Sequence, residues 1–347
     1  MANNQKEVLL EIKNLDAHYN VDGQPVSALQ DVNFAIQKGE RVGLVGESGC
    51  GKSTLLKAIM GVLAPNAQIT RGAIKLREVD LLQASQEQRR QSRWNDIAMI
   101  TQSALNALNP VHKIGDQIIE AIQSHRDVDK QQARARATEL FELVGVPPQR
   151  LDDFPHQFSG GMRQRAVIAM ALALSPEIVL ADEPTTALDV IVQDQIFERL
   201  DLLQKEQAFS MILVTHDLAL VVESCSRIIV MYAGMIVEKG PTHEVVRRPF
   251  HPYTAGLRYA IPDPSAEYEP ISIPGAPPDL SQQIKGCRFA PRCPLATSKC
   301  ELEMPPLVSS LASDAARQTR CHHADQMDQL RDRFHDQSFW QTAKTTS

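Results

Sequence analysis

The stretch GESGCGKST, residues 46–54, has the spacing G-x-x-x-x-G-K-[ST]. It follows the apolar run RVGLV (41–45) and precedes the helical pattern TLLKAIMGVL, the strand–loop–helix context that gives the spacing physical meaning. Gly46, Gly49 and Gly51 carry no Cβ, so backbone N–H groups can curl around phosphate oxygens, with Glu47, Ser48 and Cys50 filling the loop. The helix starting near Lys52 turns its positive end toward the same anion. Lys52 can neutralise β- and γ-phosphates, Ser53 can offer a hydroxyl to Mg²⁺, and Thr54 completes the motif. Cys50 stands where such loops carry a small residue and reads as a tolerated small side chain rather than a redox switch.

A second constellation is IVLADE (178–183), an apolar strand ending in two carboxylates. Asp182 at the strand end can hold the metal or its water, and Glu183 is free to polarise an attacking water as general base. An Asp-Glu pair alone is common on surfaces. Behind four apolar residues and downstream of a phosphate loop it points to phosphoanhydride hydrolysis.

Elements able to position these groups recur along the chain. RVGLVGE (41–47), IAMITQ (97–102), EIVLADEP (177–184) and MILVTHD (211–217) read as buried parallel strands leading into helical patterns. RIIVMYAGMIVEKG (227–240) reads as a strand pair or bent antiparallel edge. Residues 8–40 alternate with turn residues, as an antiparallel lobe would. IGDQIIEAIQSH (114–125) and DKQQARARATELFELVG (129–145) have helical spacing, so about 103–175 is expected to be a helical insert, and a further helix is expected at about 190–206. Ten of the 21 prolines fall within 262–306, which predicts an irregular appended module over 263–325 and a polar, frayed tail over 326–347.

The totals agree with a globular chain: 347 residues, 43% hydrophobic, 22% charged. The net charge of −6 lacks the basic balance of a nucleic-acid binder. The start MANNQKEVLLEI has no apolar core of signal-peptide length. The longest apolar run, AVIAMALAL (166–174), is far short of the ~20 residues of a membrane span. The expectation is a cytosolic chain at most peripheral to a membrane, where cysteines serve as thiols or metal ligands rather than disulfides.

Two more stretches make a family resemblance specific. FSGGMRQR (158–165) opens a helix, and THD (215–217) ends a strand. In this order the motifs resemble the nucleotide-binding subunit of an ABC transporter over about residues 7–262. The resemblance implies an α/β P-loop fold: a RecA-like parallel-sheet core, an N-terminal antiparallel β lobe and an inserted helical subdomain. It implies that Ser159, Gly160 and Gly161 cap the γ-phosphate of ATP bound to another subunit. His216 would be the switch histidine that holds the attacking water with Glu183, and Gln102 would reach Mg²⁺ alongside Ser53 and Asp182. Tyr19 would stack on adenine, and Asp189 in TALD would lie in the loop crossing to the partner's phosphate loop. The implied cycle is a dimer that closes on two ATP molecules and opens after hydrolysis.

GVLAPNAQITRGAIKL, ADEPTTALDVIVQDQI, VMYAGMIVEKG and RRPFHPYTAGLRYAIP are similar to the ATPases of bacterial dipeptide and oligopeptide importers, which extends the match to about residue 325. MITQSALNALNP (99–110) departs from that pattern around Gln102, a region that faces the permease. The resemblance implies a second, paralogous ATPase, two transmembrane permeases and an extracytoplasmic solute-binding protein, at the cytoplasmic face of the bacterial inner membrane, with no nucleic acid involved. Cationic peptides, nickel complexes or sugars are alternative solutes, and a soluble ABC ATPase is the competing class.

GCRFAPRCPLATSKC (286–300) and TRCHH (319–323) hold Cys287, Cys293, Cys300 and Cys321. The spacing x5, x6, x20 matches no zinc-finger or short ferredoxin pattern. A module poor in apolar periodicity nevertheless needs a staple. In importer ATPases with this tail the four cysteines are similar in position to ligands of a [4Fe–4S] cluster. Zn²⁺ and free structural thiols are the alternatives, and His322 and His323 are substitute ligands.

Overall fold

The computed structural model describes residues 7–102, 107–185, 188–261, 268–311 and 314–342. In chain order the first elements are β1 (Val8–Val21), β2 (Gln24–Gln37), β3 (Arg41–Val45), α1 (Lys52–Met60), β4 (Ala67–Leu76), β5 (Val79–Asp80), α2 (Gln86–Asn95) and β6 (Ile97–Ile100). Then come α3 (Ile114–Gln123), α4 (Lys130–Leu143), α5 (Gly160–Ala171), β7 (Ile178–Asp182), α6 (Val190–Gln207), β8 (Ser210–Val214) and α7 (Leu218–Ser224). The last stretch holds β9 (Arg227–Tyr232), β10 (Met235–Pro241), α8 (Thr242–Arg247), α9 (Pro252–Tyr259), α10 (Ser298–Leu302), β11 (Val308–Leu311), β12 (Asp314–Thr319), α11 (Met327–Leu330) and α12 (Gln337–Trp340). The chain divides into two compact units, Met1–Leu10 with Ile36–Arg41 and Leu76–Val214, and Glu11–Ala35 with Val42–Lys75 and Thr215–Ser347. The division falls elsewhere than the domain boundary expected at 262: the appended module shares a unit with the phosphate loop.

In the first unit β6, β7 and β8 run parallel, with Ile100 opposite Ala181 and Asp182 opposite Val214. Every residue of β7 and β8 is buried, so both faces of these strands are covered and no polar alternation is required. The helical insert packs α3 on α4. Ile114, Ile118, Ile119 and Ile122 of α3 are buried, as are Ala133, Ala137, Leu140 and Phe141 of α4, at the spacing of one helical face. A reciprocal cap between Asp129 and Gln132 starts α4, and Gly145, at φ 72°, follows its end. Residues 103–106 of the expected insert lie outside the described residues.

In the second unit β1 and β2 are joined by Asp22 and Gly23, both in the left-handed region, the tight turn that returns a strand antiparallel. β3 pairs parallel with β9, and β9 turns through Ala233 and Gly234 into antiparallel β10, the strand pair expected from the sequence. This pair is no sheet edge. Glu238 of β10 faces Thr319 of β12, which in turn pairs with β11. The expectation of an irregular module over 263–325 therefore fails at Val308–Leu311 and Asp314–Thr319, two antiparallel strands that extend the sheet. Their sequence signal is weak because a buried Arg317–Glu238 ion pair at 3.1 Å occupies a position where a strand would ordinarily show an apolar residue. The expected frayed tail is also corrected, through residue 342. Phe334 and Trp340 are fully buried, and the Trp340 indole N–H donates to the Phe334 carbonyl at 2.9 Å. A few large aromatics anchor this segment without any periodicity to announce them.

Candidate active site

The phosphate loop lies between β3 and α1 in the second unit. Gly46 sits at φ 151°, and a Cβ there would fall 2.2 Å from the Met231 carbonyl oxygen, so the loop presses against β9 where only glycine fits. Gly49 and Gly51 are also in the left-handed region. Lys52 is buried and donates to the carbonyls of Gly46 and Glu47 at 2.7 and 2.9 Å, curling the loop around its own ammonium. Cys50 is buried with Sγ 3.7 Å from Lys52 Nζ, and burial pushes its thiol up despite that cation, the opposite of a reactive thiolate. Ser48 and Gly49 are exposed at the loop tip, and Ser53 and Thr54 are half-buried at the start of α1. The Tyr19 hydroxyl on β1 lies 3.3 Å from Thr54 Oγ1. His216 is exposed two residues beyond β8, between buried Thr215 and Asp217, which caps α7 through the N–H groups of Ala219 and Leu220.

The first unit holds Gln102, the SGG residues, Asp182, Glu183 and Asp189. Asp182 is buried at the end of β7. Glu183 follows with φ 45°, a conformation unusual for a residue with a Cβ, while its N–H donates to the Val214 carbonyl at 2.9 Å. Gln102 Nε2 donates to Glu183 Oε2 at 2.9 Å, and the parallel register of β6 and β7, with Ile100 opposite Ala181, brings the two residues abreast. Ser159 caps α5 by accepting from the Met162 N–H at 3.3 Å, and Asp189 caps α6 by accepting from the Val192 N–H at 3.0 Å. Here Asp189 acts as a helix cap, a local role that the reading of TALD did not include; Thr186 and Ala187 lie outside the described residues. A Cβ on Gly161 would approach Val192 Cγ1 to 2.6 Å, so this glycine is a packing requirement of the α5–α6 contact.

Cys287, Cys293, Cys300 and Cys321 line one small cavity together with His322 and His323, and none is in a disulfide. Burial pushes the Cys287 thiol up to about 11 and Cys321 up to about 12, and Cys293 rises as well; charge on neighbouring sulfurs adds to each. The N–H groups of Leu295 and His323 donate to Cys293 and Cys321 sulfurs at 3.4 Å, and Cys300 Sγ lies 3.4 Å from His323 Nε2. Among the described residues no group of three or more His, Cys, Asp or Glu is disposed to hold a metal ion.

Sequence reasoning did not find what the C-terminal region does to the phosphate loop. Arg292 pairs with the Glu47 carboxylate, and the Tyr253 hydroxyl accepts the Glu47 N–H. The available signals were the arginines flanking Cys287 and Cys293 and the aromatic in HPYT, none with a motif spacing of its own.

A strand–loop–helix phosphate cradle and a parallel strand ending in paired carboxylates define the class: a P-loop NTPase. The ABC transporter family profile matches residues 29–186, and the profile described as "Oligopeptide/dipeptide transporter, C-terminal region" matches 237–300. The dipeptide transport ATP-binding protein DppD of Escherichia coli is 42% identical over 91% of this chain and 96% of its own length. The oligopeptide transport ATP-binding protein OppD of Bacillus subtilis is 46% identical over 86% of this chain and 84% of its own. Among solved structures, the ATP-binding cassette MJ0796, a dimer in a post-hydrolysis state with ADP and Pi, matches with TM-score 0.61 and 28% identity, over 67% of this chain and 98% of that one. The chain belongs to the ATP-binding proteins of ABC transporters, in the oligopeptide/dipeptide group.

Proposed function

We propose that this chain is the ATP-hydrolysing subunit of a bacterial importer for dipeptides or oligopeptides. The observation that carries the reading is the pairing of an ABC cassette with the importer-type C-terminal region on one chain, at 42–46% identity to peptide-transport ATPases along most of its length. Gly46 to Thr54 would cradle the phosphates, Lys52 would neutralise them, and Tyr19 would stack on adenine. Glu183, turned by its left-handed backbone and held by Gln102, would take the proton of the attacking water, with His216 holding that water. Mg²⁺, held by Ser53, Gln102 and Asp182, would supply charge neutralisation at the phosphates.

Ser159, Gly160 and Gly161 would cap the ATP of a second subunit, and Asp189 would serve the same interface. Because this chain carries one set of motifs, that place needs a second subunit, which would be a paralogous ATPase. ATP would stabilise the closed dimer and its hydrolysis would release it, driving two permeases fed by an extracytoplasmic binding protein. No helix among the described residues is long and apolar enough to cross a membrane. The chain would be a peripheral subunit at the inner membrane's cytoplasmic face. The cysteine cavity would hold a [4Fe–4S] cluster as a structural staple, with Zn²⁺ the alternative.

Affinity capture of the tagged chain from detergent-solubilised membranes tests the assignment. Recovery of two multispanning permeases and a second ATPase is expected. Recovery of the chain alone, from cells in which it is expressed with its neighbours, overturns the import reading.

A further inference from the structure

We propose that the C-terminal region is a positioning device for the phosphate loop: Arg292 and Tyr253 hold Glu47 by its side chain and its backbone. This rests on the reading of residues 46–54 as the ATP site. Arg292 is 5% exposed, and its two terminal nitrogens donate to the two Glu47 carboxylate oxygens at 2.8 and 3.0 Å, a planar fork on a planar acceptor. Its Nε donates to the Pro274 carbonyl at 2.8 Å, and its guanidinium lies over the rings of Tyr232 and Phe289. The arginine is thus fixed by its own surroundings before it meets the loop.

Tyr253 is fully buried, and its hydroxyl accepts the Glu47 N–H at 2.8 Å. Its ring packs on Tyr232 and Phe289, with centroids 4.7 and 5.4 Å apart. The start of α9 is set by His251, whose Nδ1 accepts the Tyr253 N–H at 3.0 Å, and His251 is in turn held through its own N–H by the buried Glu238 carboxylate. The HPY segment is therefore a chain of buried hydrogen bonds that ends on the loop.

The chemical consequence concerns charge. An acidic side chain in a loop that cradles polyphosphate would repel its ligand. Arg292 neutralises that carboxylate and fixes it away from free rotation, while Tyr253 fixes the direction of the peptide that leaves Gly46. Both residues fall within 237–300, outside the cassette profile at 29–186. The region matched by the importer-type profile thus reaches a loop that lies within the cassette profile.

The test uses the full chain in its transporter complex, with Mg·ATP as ligand, steady-state hydrolysis, and amide exchange of residues 46–51. Arg292→Ala is expected to raise KM for ATP about tenfold with a much smaller change in kcat, and to speed exchange of the loop amides. Adding Glu47→Gln to Arg292→Ala removes the uncompensated carboxylate and should recover most of the lost affinity, which a purely structural arginine would not permit. Tyr253→Phe keeps the ring and serves should Arg292→Ala fold poorly; faster exchange at Glu47 and a KM raised about threefold are expected. Parental KM and exchange in both Arg292→Ala and Tyr253→Phe overturn the proposal, as does a double variant no better than Arg292→Ala. Lys52→Ala separates the two readings: if it binds ATP like the parent, the ATP-site assignment fails, whereas loss of binding there beside parental behaviour of the clamp variants refutes the clamp alone.

Discussion

Gln102 Nε2 donates to Glu183 Oε2 at 2.9 Å, joining a residue two places beyond β6 to the one that follows β7. With φ 45° at Glu183, this bond orients a carboxylate on a backbone that only specific surroundings would maintain. Glu183→Gln keeps the shape and removes the proposed base. We predict retained ATP binding, an ATP-stabilised dimer and hydrolysis reduced by about 10²–10⁴-fold, read by turnover and by dimer formation on a sizing column. A variant that hydrolyses at the parental rate refutes the assignment.

Gly161 carries a packing role beside the ATP-capping role proposed for it. In Gly161→Ala the new methyl meets Val192 Cγ1 at 2.6 Å, and a valine in a helix has little rotamer freedom with which to yield. Denaturant titration should show a loss of about 1–3 kcal/mol, largely recovered when Val192→Ala is added. Undiminished stability in the single variant would mean that α5 and α6 are not held together as described.

The four-thiol cavity makes a compositional prediction. Protein purified without oxygen should be coloured and contain iron and acid-labile sulfide, and Cys300→Ser should lose both and melt at lower temperature. Colourless protein free of iron and sulfide rules out the cluster, and zinc content then decides between a zinc site and free thiols.

Lys239 gives the stability a pH dependence of definite sign. Burial, with help from Arg227 and Arg320, lowers its ammonium to about 8 from the ordinary 10.5. Between those values the unfolded chain binds more protons than the folded one, so stability rises with pH across the window. The folded state therefore gains roughly 1–3 kcal/mol from pH 7.5 to 10.5 that Lys239→Met does not, measured as the difference between the two chains in denaturant titrations. An identical pH profile for both chains would show that Lys239 titrates normally.

Contiguity separates what could be read in advance from what could not. The phosphate loop, the strand ending in Asp182 and Glu183, the SGG helix start and the helical insert are local patterns, in which spacing along the chain already dictates geometry. From these the sequence by itself determined the P-loop class and the order of motifs, and contiguous stretches such as RRPFHPYTAGLRYAIP determined the importer-type resemblance. The tertiary structure alone decided that Arg292 would lie on Glu47, 245 residues away, that β11 and β12 would extend the sheet from β10, and that Trp340 would anchor the tail. Those contacts involve single charged or aromatic side chains with no repeat to mark them. A buried arginine looks like a surface arginine until a carboxylate, a carbonyl and two aromatic rings are brought around it by the fold.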